Sequence, residues 1–152
     1  MFNQILVALK FGPASIHALK KALELARLNA AGLHIFHALD YSFQETEEND
    51  PEFVEIKKKT ETLYAEEIEP LLGSLENVTF KSRPAYPALH ICKLAHMLPA
   101  DLIVLGCHQL SEKISMGRLD YVGVTILENA PCPVMLVPYS GAGSSKVQKS
   151  LS

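Results

Sequence analysis

Leu102-Ile103-Val104-Leu105 is an unbroken apolar run, led in by Asp101 and closed by Gly106. A strand without polar alternation is buried on both faces, and such strands belong to parallel sheets covered by helices on either side. A second run of this kind, Ile5-Leu6-Val7-Ala8-Leu9, stands near the start of the chain. Between them lie segments with a different period. Ile16, Leu19, Leu23, Ala26 and Ala30 recur at three and four residues, the stripe of a helix packed along one side.

From end to end the chain alternates between the two patterns. Residues 4–9 read as a strand. Pro13-Ala14-Ser15 opens a helix, and Ala31-Gly32 closes it with Gly32 as the residue just past its end. Residues 33–39 form a second strand and 40–50 an acidic, polar loop. Pro51 suits the first turn of a helix over about 52–72 that carries Phe53, Ile56, Leu63, Tyr64 and Ile68. Pro70 should tighten or kink its last turn. Lys57-Lys58-Lys59 on this helix reads as a solvated face, offset by Glu55 and Glu61. Residues 77–82 give a third strand. Pro87 opens a helix that ends at Pro99-Ala100, Asp101 leads the fourth strand, residues 120–129 form another helix, and 133–137 a fifth strand.

The fold class is therefore α/β: a doubly wound, five-stranded parallel sheet with helices on both faces. Right-handed crossovers favour the strand order 3-2-1-4-5. In that order the switch point lies between strands one and four, where open sheets of this type bind ligands. It sets the turn Lys10-Phe11-Gly12 opposite Gly106-Cys107-His108. The loop that follows Gly106 leads to a helix start near Asp120, the layout of a phosphate site. Residues 1–139 make one domain. Residues 140–152, rich in Gly, Ser and Lys, read as a disordered tail.

Composition narrows the function. With 152 residues and 48% hydrophobic content the chain fills one core, and a net charge of −3 gives no basic face for nucleic acid. No run approaches a membrane span, and the N-terminus lacks a signal-peptide pattern, so a cytoplasmic location is expected. Cys92, Cys107 and Cys132 are odd in number and widely spaced, which argues for reduced thiols rather than a disulfide or zinc framework.

Four segments together resemble the universal stress protein family: Ile5-Leu6-Val7-Ala8-Leu9, Pro87-Ala88, the run from Ala100 to Gly106, and Ala130-Pro131-Cys132-Pro133-Val134. The resemblance covers about residues 3–138. It implies the sheet order above and a homodimer through the last strand, here Val134-Met135-Leu136-Val137. Pairing across a two-fold axis would cover that apolar edge. The family divides into ATP binders and non-binders. Binders carry an acidic residue after strand one and a G-x2-G-x9-G-(S/T) loop whose backbone N–H groups cradle phosphates.

Read against that pattern, the chain departs at most points. Lys10 stands at the acidic position and Phe11 follows where a small residue is usual. Gly106 matches the first glycine, Gln109 replaces the second, and Asp120 and Tyr121 stand for the third glycine and the hydroxyl residue. The loop is one residue longer. If Gly117 is the displaced third glycine, Arg118 then takes the hydroxyl position. A carboxylate at Asp120 would cap the helix itself and repel a phosphate. Lys10 is placed to pair with it and partly fill the phosphate site.

The resemblance thus implies a candidate nucleotide cleft of Ala8, Lys10, Ala38, Gly106, His108, Gln109, Asp120, Tyr121 and Val122. Ala38 corresponds to a family position lining the adenine pocket. His108 also suits an exposed loop histidine. His34 and His37, three apart in a strand, face opposite sides, and no histidine pair has helical zinc spacing. The acidic loop 45–50 lacks an EF-hand pattern, and no nucleophile elbow is present. Neither a catalytic residue nor a metal is expected. The favoured expectation is a cytoplasmic, homodimeric stress-response module with regulatory rather than catalytic function, a degenerate phosphate site, no required cofactor and unidentified protein partners. The alternative is a sensor that binds ATP or AMP through the loop after strand four.

Overall fold

The computed structural model describes residues 1–108 and 121–140, with His108 and Tyr121 in backbone only. Its five strands are β1 (Gln4–Ala8), β2 (Gly32–Leu39), β3 (Val78–Pro84), β4 (Leu102–His108) and β5 (Val134–Tyr139). They form one sheet in the order β3-β2-β1-β4-β5, all parallel. The helices are α1 (Pro13–Asn29), α2 (Pro51–Leu63), α3 (Glu69–Leu72), α4 (Pro87–Met97) and α5 (Tyr121–Asn129). A 3-10 turn, Tyr41–Phe43, follows β2. The doubly wound fold class and the strand order are as the sequence indicates.

Alternate residues of each strand serve different cores. Ile5, Val7, Leu9, Leu33, Ile35 and Val104 pack with α1, Ile68 and Leu71 on one face. Leu6, Phe36, Ile103 and Leu105 pack with α4 and α5 through Ile91 and Ile126 on the other. The central strand is secured at its start by Asp101, whose carboxylate accepts the backbone N–H of Asn3 (2.7 Å) and of Gln4 (3.2 Å). Asp101 returns its own N–H to the Gln4 carbonyl. That acid in the family motif therefore joins the first and fourth strands.

Two local expectations are corrected. Gly32 does not cap α1; Ala30 takes the left-handed conformation there, at φ 51° and ψ 42°. Gly32 instead begins β2, where a Cβ would meet Gln4 Oε1 at 2.7 Å and Asn77 Nδ2 at 3.1 Å. Its small size is demanded by neighbours distant in sequence. Nor is 52–72 one helix: between α2 and α3 the segment Tyr64–Ile68 is π-helical. Pro70 brings no N–H, and its ring crowds the carbonyl four residues back. The ladder widens just before it, with the Glu69 N–H donating to the Tyr64 carbonyl five residues back. The wider turn leaves the Tyr64 ring stacked on Phe80 (4.0 Å, 14°) and Ile68 fully buried.

The acidic loop has more structure than expected. The Asp50 side chain caps α2 by accepting the N–H groups of Glu52 and Phe53. On α2, Lys57 lies over the Phe53 ring at 5.2 Å, and among the described residues neither Glu55 nor Glu61 forms an ion pair with the lysine run.

Candidate functional site

The cleft implied by the sequence lies at the carboxyl ends of β1, β2 and β4. Ala8, Ala38 and Val122, from β1, β2 and α5, are half-buried against the core on the α4–α5 face. Three of the expected residues thus share one side of the sheet. Small side chains on the two strands keep that side shallow.

The turn after β1 is built by Ser15. The Lys10 N–H donates to Ser15 Oγ at 2.8 Å, and that hydroxyl donates to the Ala8 carbonyl at 3.4 Å. With the chain drawn in this way, Phe11 adopts φ 50°, a conformation costly for a residue with a side chain. The consequence is a change of side. The Phe11 ring packs edge-on against His37 (4.8 Å) and Phe80 (6.5 Å), with the core on the α1–α2 face. Phe11 therefore does not pack with Ala8. It helps line a cavity of about 300 Å³ beside α2, which Lys10 and Ala38 of the expected cleft line together with His37, Thr60 and Leu63.

His37 accompanies it there. Its Nδ1 lies 2.7 Å from the Leu9 carbonyl, so Nδ1 carries the proton. Burial lowers its pKa, and the opposing bond to Leu9 does not restore it. The ring is neutral at pH 7, with Nε2 as an acceptor. His34 points elsewhere, between Thr79 Oγ1 (2.8 Å) and Gln4 Oε1 (2.6 Å), and burial followed by the Lys81 charge lowers its pKa. Among the described residues no three His, Cys, Asp or Glu side chains cluster to hold a metal ion.

Gly106 has a purely steric reason to be glycine. A Cβ there would collide with the Ala14 carbonyl, coming within 2.7 Å of its carbon and 3.1 Å of the Ser15 nitrogen. The first turn of α1 presses directly on β4. A glycine at this point is required by packing whether or not a phosphate binds, so it does not separate binders from non-binders. Lys10 is exposed. His108 ends β4 opposite Tyr139, and Tyr121 begins α5. Gln109, Asp120, Gly117 and Arg118 lie outside the described residues, as do the expected Lys10–Asp120 contact and the tail from residue 141. Sequence reasoning missed the roles of Ser15 and Asp101. A serine two residues after the proline that opens α1 was the visible signal for the first.

A doubly wound parallel sheet of order β3-β2-β1-β4-β5 defines the class. The chain belongs to the universal stress protein family, whose model matches residues 1–138. Solved structures share the fold. The universal stress protein UspA from Lactobacillus plantarum is 22% identical, with a TM-score of 0.68 over 89% of this chain and 97% of that one. A universal stress protein from Archaeoglobus fulgidus, solved in complex with dAMP, is 20% identical, with a TM-score of 0.58 over 88% and 96%. Another universal stress protein, solved in complex with cAMP, is 18% identical, with a TM-score of 0.57 over 90% and 96%. No curated protein matches in sequence. Among the described residues no helix is long and apolar enough to cross a membrane.

Proposed function

We propose that this protein is a cytoplasmic stress-response module that acts as a homodimer and regulates protein partners without catalysis. The observation that carries the dimer is β5. It is an edge strand bonded only to β4 among the described residues, and Val134, Met135, Leu136 and Val137 bring no charge to that edge. Apolar edges without charged or bulged protection invite pairing, and a two-fold would join two copies of β5. Replacing Leu136 with Lys should turn dimer into monomer in sedimentation. A variant that stays dimeric would remove β5 as the interface.

The phosphate half of the family cleft is taken as degenerate, with Lys10 at the acidic position of the sequence pattern and Asp120 where binders place glycine. A second reading is favoured by one observation: Phe11 packs with the α1-side core, while Ala8, Ala38 and Val122 are only half-buried on the other face. In that reading the base half of the cleft survives and the protein senses an adenine nucleotide, as the relatives solved with cAMP and dAMP suggest. Thermal-shift titration with ATP, ADP and AMP, with and without Mg²⁺, separates the two. A nucleotide at about 100 times its Kd adds roughly 2.7 kcal/mol of apparent stability. A flat response at millimolar nucleotide supports the non-binding module, and a clear rise supports the sensor.

A further inference from the structure

A second concavity opens further along the carboxyl rim, where β3 passes into α4. It has a volume of about 230 Å³ and is walled by the 3-10 turn, the end of β3 and the outer side of α4. None of the cleft residues lines it.

Its chemistry is one-sided. Arg83 from β3 and Lys93 and His90 from α4 all line it, and no aspartate or glutamate does. Among the described residues neither Arg83 nor Lys93 has a hydrogen bond or an ion pair. The three groups lie within electrostatic reach of one another, because Arg83 and Lys93 add to burial in lowering the His90 pKa. The imidazole is held at 4.5 Å against Phe36. Asp40, next to Tyr41 in sequence, is engaged with its own turn, accepting the Ser42 N–H at 2.8 Å. Two exposed cations and a histidine thus share one hollow without an acid in its wall. An anion bound there would relieve the repulsion.

Beside the cations stand two tyrosines. The Tyr41 and Tyr86 rings stack at 3.9 Å and 19°, yet the residues are 44% and 56% exposed. Leu89, at 63% exposure, adds an apolar wall. Aromatic and aliphatic surface next to a guanidinium suits a ligand with a flat body and a charged end. Arginine binds phosphate oxygens in a bidentate fork, and lysine adds a point charge. The hollow is smaller than the roughly 300–1,000 Å³ of drug-sized pockets, which limits the body to about one ring.

The geometry points to a binding site for a small phosphomonoester, a phosphate dianion carried on a single ring, held by Arg83, Lys93 and His90 against the Tyr41–Tyr86 stack. The site shares no residue with the candidate nucleotide cleft, although Arg83 is the register partner of Ala38.

Phenyl phosphate is the probe, followed by backbone amide shifts of the full chain. Saturable shifts at residues 83–93 with Ala8 and Gly106 unmoved are expected. Phenol, which lacks the charge, should leave them still, and inorganic phosphate should bind more weakly. Arg83 and Lys93 are exposed, so the R83Q/K93Q double variant should fold with an unchanged spectrum elsewhere and weaken binding about tenfold or more. The His90 ring carbons should move toward their protonated positions as phosphate binds. No saturable shift at millimolar probe, shifts confined to Ala8 and Gly106, or an unaltered affinity in the double variant would each overturn the site.

Discussion

On the face covered by α1, α2 and α3, the sheet presents Ile5, Val7, Leu9, Leu33, Ile35 and Val104, each 2% exposed or less. On the other face α4 and its flanks meet the sheet with Ala85, Ala88, Ala95 and Ala100, and the strands end in Ala8 and Ala38. The first face is filled with branched side chains through its middle, a cavity of about 300 Å³ lies at its rim beside α2, and the first turn of α1 touches the β4 backbone at Gly106. The second has its large residues in the middle and small ones toward the carboxyl rim. The small side chains of the second face stand at the carboxyl rim, where ligands of this fold class bind. Phe11 accepts a left-handed backbone that places its ring on the first face, against the cavity there.

Substitutions that exchange the two standards test this division. The largest effect should come from Gly106→Ala, because the added methyl has no space against Ala14 and the α1 turn must shift. Overpacking of this kind costs about 1–3 kcal/mol, occasionally more, and urea unfolding should show it. Unchanged stability would mean that α1 does not bear on β4. Ala38→Leu should cost less than about 1.5 kcal/mol, since Ala38 is half-buried and borders a cavity. It should also erase any thermal shift produced by AMP. A retained AMP shift would move the base site away from Ala38.

The smallest effect is a pH slope. His34 and His37 have folded pKa values below their unfolded ones, chiefly through burial. Between the two values the unfolded chain holds more protons, so stability rises with pH there. It is complete above about pH 6.5, the unfolded histidine value, and declines as pH falls below it. His37→Asn, which keeps a donor for the Leu9 carbonyl but does not titrate, should flatten the slope. A slope of equal steepness in the variant would assign it to other groups.

The sheet order was readable because the strand runs and helix stripes are local patterns, and Pro13, Pro51 and Pro87 each mark a helix start. Gly32 was misread because its reason is the approach of Gln4 and Asn77, which no local pattern records. Phe11 stood out only as a large residue where a small one is usual. Which face its ring takes depends on a backbone angle set by Ser15 and on partners in β2 and β3. Ala8 and Ala38 were legible as small residues near strand ends. The basin of Arg83, His90 and Lys93 was not, since its walls come from segments that meet only after folding. Gln109 and Asp120, the residues on which the phosphate half turns, lie outside the described structure.

The bond between Asp101 and the start of β1 has a meaning for the growing chain. It spans 97 residues. At the usual synthesis rate of about 5–20 residues per second, β1 leaves the ribosome roughly 5–20 s before β4 exists to cover its second side. The strand at the centre of the finished sheet is therefore an open edge throughout that interval. β2 and α1 can settle on it early, while the β4 side waits for Asp101, and in those seconds the nascent chain most needs shelter from its neighbours.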